Sequence, residues 1–211
     1  MRKLVILTIA AIVCFIMSCK KSSTDDYFPM SVGSQWNYEG YTLYGTTTPP
    51  TDTMETTTST IITQAKTTLT SGEEVIPFQN TQITRYFFPI VETDTIILTS
   101  YVREADDAIL SYDSTSDTTP DTLLMLPLET GKTWHYGSVT ALVVGQEDVT
   151  VEAGTYKNAW KIKFTIISGS YTRELFQWYA KDIGQVKLHS EYTGAQYNMI
   201  NHLELLSATI K

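Results

Sequence analysis

Apolar and polar residues alternate with a period of two in short stretches along most of this chain. That spacing sets one side of an extended strand against a core and the other in water. The alternation predicts strands at 60–69, 75–79, 82–88, 94–103 and 108–112, and again at 137–144, 148–151, 159–167, 171–180, 185–190 and 196–206. Glu104-Ala105-Asp106-Asp107, Ser168-Gly169-Ser170 and Asp182-Ile183-Gly184 read as hairpin turns between them. Residues 113–121 read as a polar loop, and 45–60, rich in Thr, Pro, Asp and Gly, as a long loop or ragged edge. Runs at helical spacing are nearly absent after residue 19. The pattern therefore predicts an all-β antiparallel meander forming an open barrel, a half-barrel or a sandwich, rather than βαβ units. Composition agrees: 34 threonines and 13 tyrosines in 211 residues suit the pleated, half-exposed surface of a sheet.

The alternation fails at the start. After Met1-Arg2-Lys3, residues 4–17 are apolar apart from Thr8 and end at Ser18-Cys19. A basic start, an apolar middle and a small residue at the junction make a secretory signal. This run of 14 residues spans about 21 Å as a helix, short of a bilayer core of about 30 Å. Ile16-Met17-Ser18-Cys19 resembles the lipobox of bacterial lipoproteins. That resemblance implies cleavage after Ser18, acylation of Cys19 and anchoring by its acyl chains. The polar stretch 20–26 then serves as a short tether, and residues 27–211 form a single β domain.

Loss of 1–18 removes Arg2 and Lys3 and moves the net charge from −8 to −10. Such a surface repels phosphates, which argues against nucleic acid as a partner and leaves membrane attachment to the acyl chains. Cys14 leaves with the signal and Cys19 is the lipid site, so the mature domain has no disulfide, thiol nucleophile or thiolate metal site.

One internal repeat stands out. Phe28-Pro29-Met30-Ser31-Val32-Gly33-Ser34-Gln35-Trp36-Asn37-Tyr38 matches Leu126-Pro127-Leu128-Glu129-Thr130-Gly131-Lys132-Thr133-Trp134-His135-Tyr136 at a constant offset of 98. Pro and Gly fit a tight turn, and Trp and Tyr two apart share one face of the strand that follows. The aromatic pairs serve as core anchors or as binding platforms; Trp36, Tyr38, Trp134 and Tyr136 are the candidate ligand-binding residues. The repeat divides the domain into related halves, about 27–121 and 122–211.

The two Gly-x-x-Trp-x-Tyr segments resemble those of exported lipoproteins of unknown function from Bacteroidetes-type bacteria. Val151-Glu152-Ala153-Gly154-Thr155-Tyr156, running on to Lys161-Ile162, and Trp178-Tyr179-Ala180-Lys181-Asp182-Ile183-Gly184-Gln185-Val186-Lys187 look like two further segments of the same proteins. The resemblance implies an open barrel or half-barrel whose concave face holds acyl chains or a partner. It supplies no catalytic residue.

A search for chemistry finds little. His135, His189 and His202 form no metal-ligand pair at HxH or HxxxH spacing. Residues 113–124 alternate oxygen side chains, but Thr118 and Leu124 stand where a calcium loop needs Gly and Glu. Glu73-Glu74, Asp106-Asp107 and Glu147-Asp148 are adjacent, and neighbours on a strand face opposite ways. The chain is thus expected to bind no metal and no cofactor. The leading reading is a non-enzymatic, lipid-anchored envelope domain, in the outer membrane of a Gram-negative bacterium, binding a lipid or hydrophobic ligand or a protein partner. A surface glycan-binding accessory protein, using Trp36, Trp134, Trp160 or Trp178, is the alternative. A carboxylate-based hydrolase is the third.

Overall fold

The computed structural model describes residues 27–47, 50–87, 90–168, 171–194 and 197–211. Cys19, the signal and the tether lie outside the described residues, as do Gly169 and Ser170 of one expected turn. The strands are β1 (Gln35–Gly45), β2 (Asp52–Thr63), β3 (Thr67–Thr68), β4 (Glu74–Tyr86), β5 (Glu92–Glu104), β6 (Ala108–Tyr112), β7 (Asp121–Met125), β8 (Thr133–Tyr136), β9 (Val139–Val151), β10 (Gly154–Ser168), β11 (Tyr171–Ala180), β12 (Gly184–Thr193) and β13 (Asn198–Thr209). All are antiparallel, in the order β7-β6-β5-β4-β2-β1-β13-β12-β11-β10-β9-β8, with β3 paired only to β4.

The order is a meander closed through the chain ends. β13 pairs with β1 from Gln35↔Thr209 to Gly45↔Asn198, so the last strand seals against the first. The free edges of the sheet are then β7 and β8, in the middle of the chain. No backbone ladder joins these two. Side chains meet there instead: the Trp134 indole N–H donates to the Thr122 carbonyl at 3.0 Å, and the Gly137 N–H to Asp121 Oδ1 at 3.0 Å. The result is a nearly closed barrel, and neither a sandwich nor two separate sheets.

The two repeat segments fold alike. Gly33 and Gly131 both adopt positive φ, 83° and 87°, which glycine takes without penalty. The Gly33 N–H donates to Thr63 O and the Gly131 N–H to Val143 O. The residue after each glycine, Ser34 or Lys132, donates back to Ser31 or Glu129 and accepts from Thr63 or Val143. Each turn thereby registers a Trp-bearing strand against its hairpin partner, β1 against β2 and β8 against β9. The rings then enter one core shared by both halves, which includes Trp36, Tyr38, Phe78, Trp134, Phe164 and Tyr179.

Several elements differ from the alternation pattern. Most of 45–60 is strand: β2 runs from Asp52 and pairs along its length with β1 and β4. Its β-branched threonines favour extension, but both of its faces are polar, so no period of two marks it. Residues 75–79 and 82–88 merge into β4, and 137–144 and 148–151 into β9. β7 continues out of the expected 113–121 loop.

Wall height is uneven. β4 and β5 have 13 residues and β10 has 15, while β6, β7 and β8 have 5, 5 and 4. β6 pairs only with Tyr101–Glu104 of β5. Among the described residues the upper part of β5 therefore keeps one unpaired edge, and Ile96, Ile97 and Leu98 there are exposed.

Two substitutions test this account. Trp134→Phe keeps an aromatic ring in the core, though a smaller one, and leaves the Thr122 carbonyl without its indole donor. It should cost about 1–3 kcal/mol of stability by urea denaturation. Gly40→Ala would place a methyl 2.3 Å from His202 O and 2.8 Å from Leu203 Cδ1, against the backbone of β13. Overpacking there should cost about 1–3 kcal/mol or more, read by the same method.

Candidate functional site

Cross-strand partners share a face of the sheet, so the inner face can be traced from strand to strand. Tyr38 pairs with Leu205, Gly40 with Leu203 and Thr42 with Asn201. Outward along the other flank, Ile62 faces Gln79, while Ile61 pairs with Asn80 and Ser59 with Gln82. Below, large apolar and aromatic side chains fill the barrel. Above, where β6, β7 and β8 fall short, the interior opens as a basin.

The basin has two lobes. The first, about 510 Å³, has an apolar floor of Phe28, Ile61, Phe78, Val102 and Tyr179, with Leu98 at its lip. The second, about 470 Å³, runs along β1, β2, β12 and β13 and includes Tyr38, Glu55 and Asn201. Ile61, Asn80 and Gln185 line both lobes, which makes them continuous. Phe28, ahead of β1, rests on Phe78 with ring centroids 5.2 Å apart and forms part of the floor.

Its polar walls consist of hydroxyls and carboxamides already oriented by their neighbours. Ser59 Oγ donates to Asn80 Oδ1 at 2.6 Å, and Tyr179 OH to Gln177 Oε1 at 2.7 Å. Thr42 Oγ1 is 2.8 Å from Glu55 Oε1 and 2.9 Å from Asn201 Oδ1. In Asn80 and Gln177 the amide oxygen is engaged and the NH₂ groups remain as donors lining the basin, while the single Thr42 hydroxyl hydrogen serves either Glu55 or the Asn201 carboxamide. Glu55 and Asp113, one in each lobe, are the acidic groups, and no Lys or Arg lines either lobe. Such a lining suits neutral oxygen acceptors above an apolar floor better than an anion, which would meet two carboxylates and no Lys or Arg among the lining residues.

The aromatic residues singled out by the repeat divide between packing and lining. Trp36 and Trp134, 4% and 5% exposed, sit in the core, with their indole N–H groups on Ile183 O and Thr122 O. Tyr38 is buried, donates to Gln185 O at 2.9 Å and borders the second lobe. Tyr136 is half-buried and lines the first lobe. Trp160 is half-buried on β10. Trp178 faces outward but is covered: its indole N–H reaches Glu147 Oε1 at 2.6 Å, and Lys161 and Lys187 stand 5.0 and 5.7 Å from its ring centre. The register shift between Trp178 and Tyr179 puts Lys187 outside and Gln185 inside.

Of the carboxylates flagged in sequence, Asp113 lines the first lobe, while Asp117, Glu147 and Asp148 are spent elsewhere. Asp117 accepts from the Asp113 and Ser114 N–H groups and from Ser114 Oγ, closing its own loop. Glu147 serves Trp178 and Lys161, and Asp148 holds Lys157 and the Asn158 N–H. The residues missed in sequence are Glu55, Asn80, Gln177 and Asn201. Their signal was phase: Asn80 falls two residues after Phe78, and Gln177 between Leu175 and Tyr179, on the buried side of their strands.

No family model matches the chain, and no curated protein does. Two solved structures resemble it. One is a candidate exported protein with a YmcC-like fold from Bacteroides fragilis NCTC 9343, with a TM-score of 0.48, 13% identity and coverage of 87% of this chain and 99% of that one. The other is a candidate lipoprotein from Parabacteroides distasonis ATCC 8503, with a TM-score of 0.48, 12% identity and the same coverage.

Burial raises the phenols of Tyr38 and Tyr179 far above the ordinary value, and neighbouring tyrosines add to it. The folded values lie above the unfolded value of about 10, so the neutral phenols contribute their full stability below about pH 10 and lose it as pH rises further. Spectrophotometric titration should show a fraction of the tyrosines ionising only together with alkaline unfolding.

Proposed function

We propose that this chain is a non-catalytic binding domain, anchored in the cell envelope through Cys19, whose basin holds an uncharged amphipathic ligand. The observation that carries the reading is the lining: an apolar aromatic floor beneath carboxamide donors, two carboxylates and no cation. Burying an alkyl chain on that floor contributes about 0.8 kcal/mol per CH₂, while an anionic head would be desolvated beside Glu55 or Asp113 without a partner. The ligand's chain lies in the first lobe and its neutral oxygen-bearing head reaches Asn80, Gln177 and Asn201. The donors Asn80, Gln177 and Asn201 also support a second reading, a glycan held by the same groups without a chain.

Calorimetric titration with octyl glucoside below its micellar threshold, glucose and octanoate separates these readings. The amphipathic reading expects octyl glucoside to bind, and glucose and octanoate to bind at least about tenfold more weakly, a difference of about 1.4 kcal/mol. Ser100→Trp, which fills the first lobe, should abolish binding while leaving the urea midpoint close to that of the parent. Equal affinity for glucose favours the glycan reading, and equal affinity for octanoate sinks the proposal.

A further inference from the structure

On the outer face the barrel brings together two histidines that lie 13 residues apart in sequence, the second of which also borders the basin's second lobe. His189 of β12 and His202 of β13 are direct cross-strand partners. Their Nδ1 atoms face each other at 3.5 Å, with ring planes inclined by 70°. Each ring is fixed from behind by a carboxylate: His189 Nε2 lies 2.9 Å from Glu191 Oε1, and His202 Nε2 2.8 Å from Glu204 Oε1. Tyr41 stacks on His202 at 5.1 Å, and Lys187 holds Glu204 at 3.3 Å.

The tautomers follow from these partners. A carboxylate only accepts, so each Nε2 carries the hydrogen and each neutral ring turns a lone pair at Nδ1 toward the other. Two acceptors so close are unfavourable unless something positive lies between them. A proton fits poorly, because 3.5 Å exceeds the usual 2.7–3.2 Å span of a hydrogen bond made by N–H. A metal fits well: two bonds of about 2.05 Å span that gap at an angle of about 115°, close to tetrahedral. A carboxylate behind each imidazole is also the usual way in which a metal-binding histidine is oriented and made more basic.

We propose that His189 and His202 form a two-nitrogen site for a borderline transition-metal cation, Cu²⁺ or Zn²⁺, with water completing the coordination. Imidazole suits these ions, and Cu²⁺ binds more tightly than Zn²⁺ at a given nitrogen site. Among the described residues no three His, Cys, Asp or Glu side chains are grouped to hold a metal, so the site offers two protein ligands and leaves its remaining positions open. The surroundings carry four carboxylates against two lysines: Glu39 lies opposite Glu204 and Glu174 opposite Glu191, with Lys187 held by Glu204 and Lys163 by Glu174 on the same face.

The test titrates Cu²⁺, Zn²⁺ and Mg²⁺ separately into the purified full chain, followed by calorimetry and, for Cu²⁺, by electron paramagnetic resonance. One equivalent of Cu²⁺ should bind with hyperfine splitting from two nitrogens, Zn²⁺ should bind more weakly and Mg²⁺ should not bind. His189→Ala and His202→Ala should each remove the two-nitrogen signature. Glu204→Gln should keep both nitrogens and weaken binding about 10–100-fold. Copper binding unchanged in the double variant H189A/H202A, or no binding to the parent, would overturn the site.

Discussion

The pairing of β1 with β13 is the constraint on which the molecule depends. It joins the two ends of the chain edge to edge and so turns an open meander into a ring of strands. Every other neighbour relation is a simple hairpin, or, for β2 and β4, a hairpin with the short β3 excursion between. Long-range pairing of this kind is costly in loop entropy and is formed only because what it encloses is large and apolar. Trp36 and Tyr38 on β1 and Leu205 on β13 supply that return, all of them buried in the common core. Gly40 is where the two backbones approach too closely for any side chain.

The parts of the fold legible in the sequence were those with one wet and one dry face. β10, β11 and β12 face a filled core on one side and a wetter surface on the other, and their alternation is clear. β2 was hidden because both of its faces meet water, one outside and one inside the basin. The same cause split β4 in two, since Asn80 interrupts its apolar phase where the floor gives way to the polar wall. The repeat was legible down to its turn geometry, but its aromatic rings are divided between packing and lining by barrel curvature, which no local pattern encodes. The histidine pair was invisible for a related reason: cross-strand registers join residues that linear spacing keeps apart.

Inner and outer faces divide the chemistry cleanly. Inside, Glu55 and Asp113 are the charged groups lining the basin, Arg173 is held against Ser190 Oγ at 2.7 Å, and the remaining polar groups of the lining are mostly amides and hydroxyls. Outside, Lys161, Lys163, Lys187, Glu147, Glu174, Glu191 and Glu204 form ladders of opposite charge across β9 to β13. Exposed pairs of this kind contribute little stability each, yet they keep the wall from presenting a long apolar surface. The bulge at Trp178–Tyr179 marks the boundary, because one extra residue there sends a lysine outward and a glutamine inward.

The seam between β7 and β8 has a mechanical consequence. In a fully hydrogen-bonded barrel, strand number and shear together fix the girth. Here one junction has no ladder and is held by the Trp134 indole, the Asp121 carboxylate and the short connection 126–132. The sheet is a rolled ribbon rather than a welded tube. Its circumference can change by slippage at one line, with every backbone pairing elsewhere left intact, and that line lies directly beneath the low side of the wall.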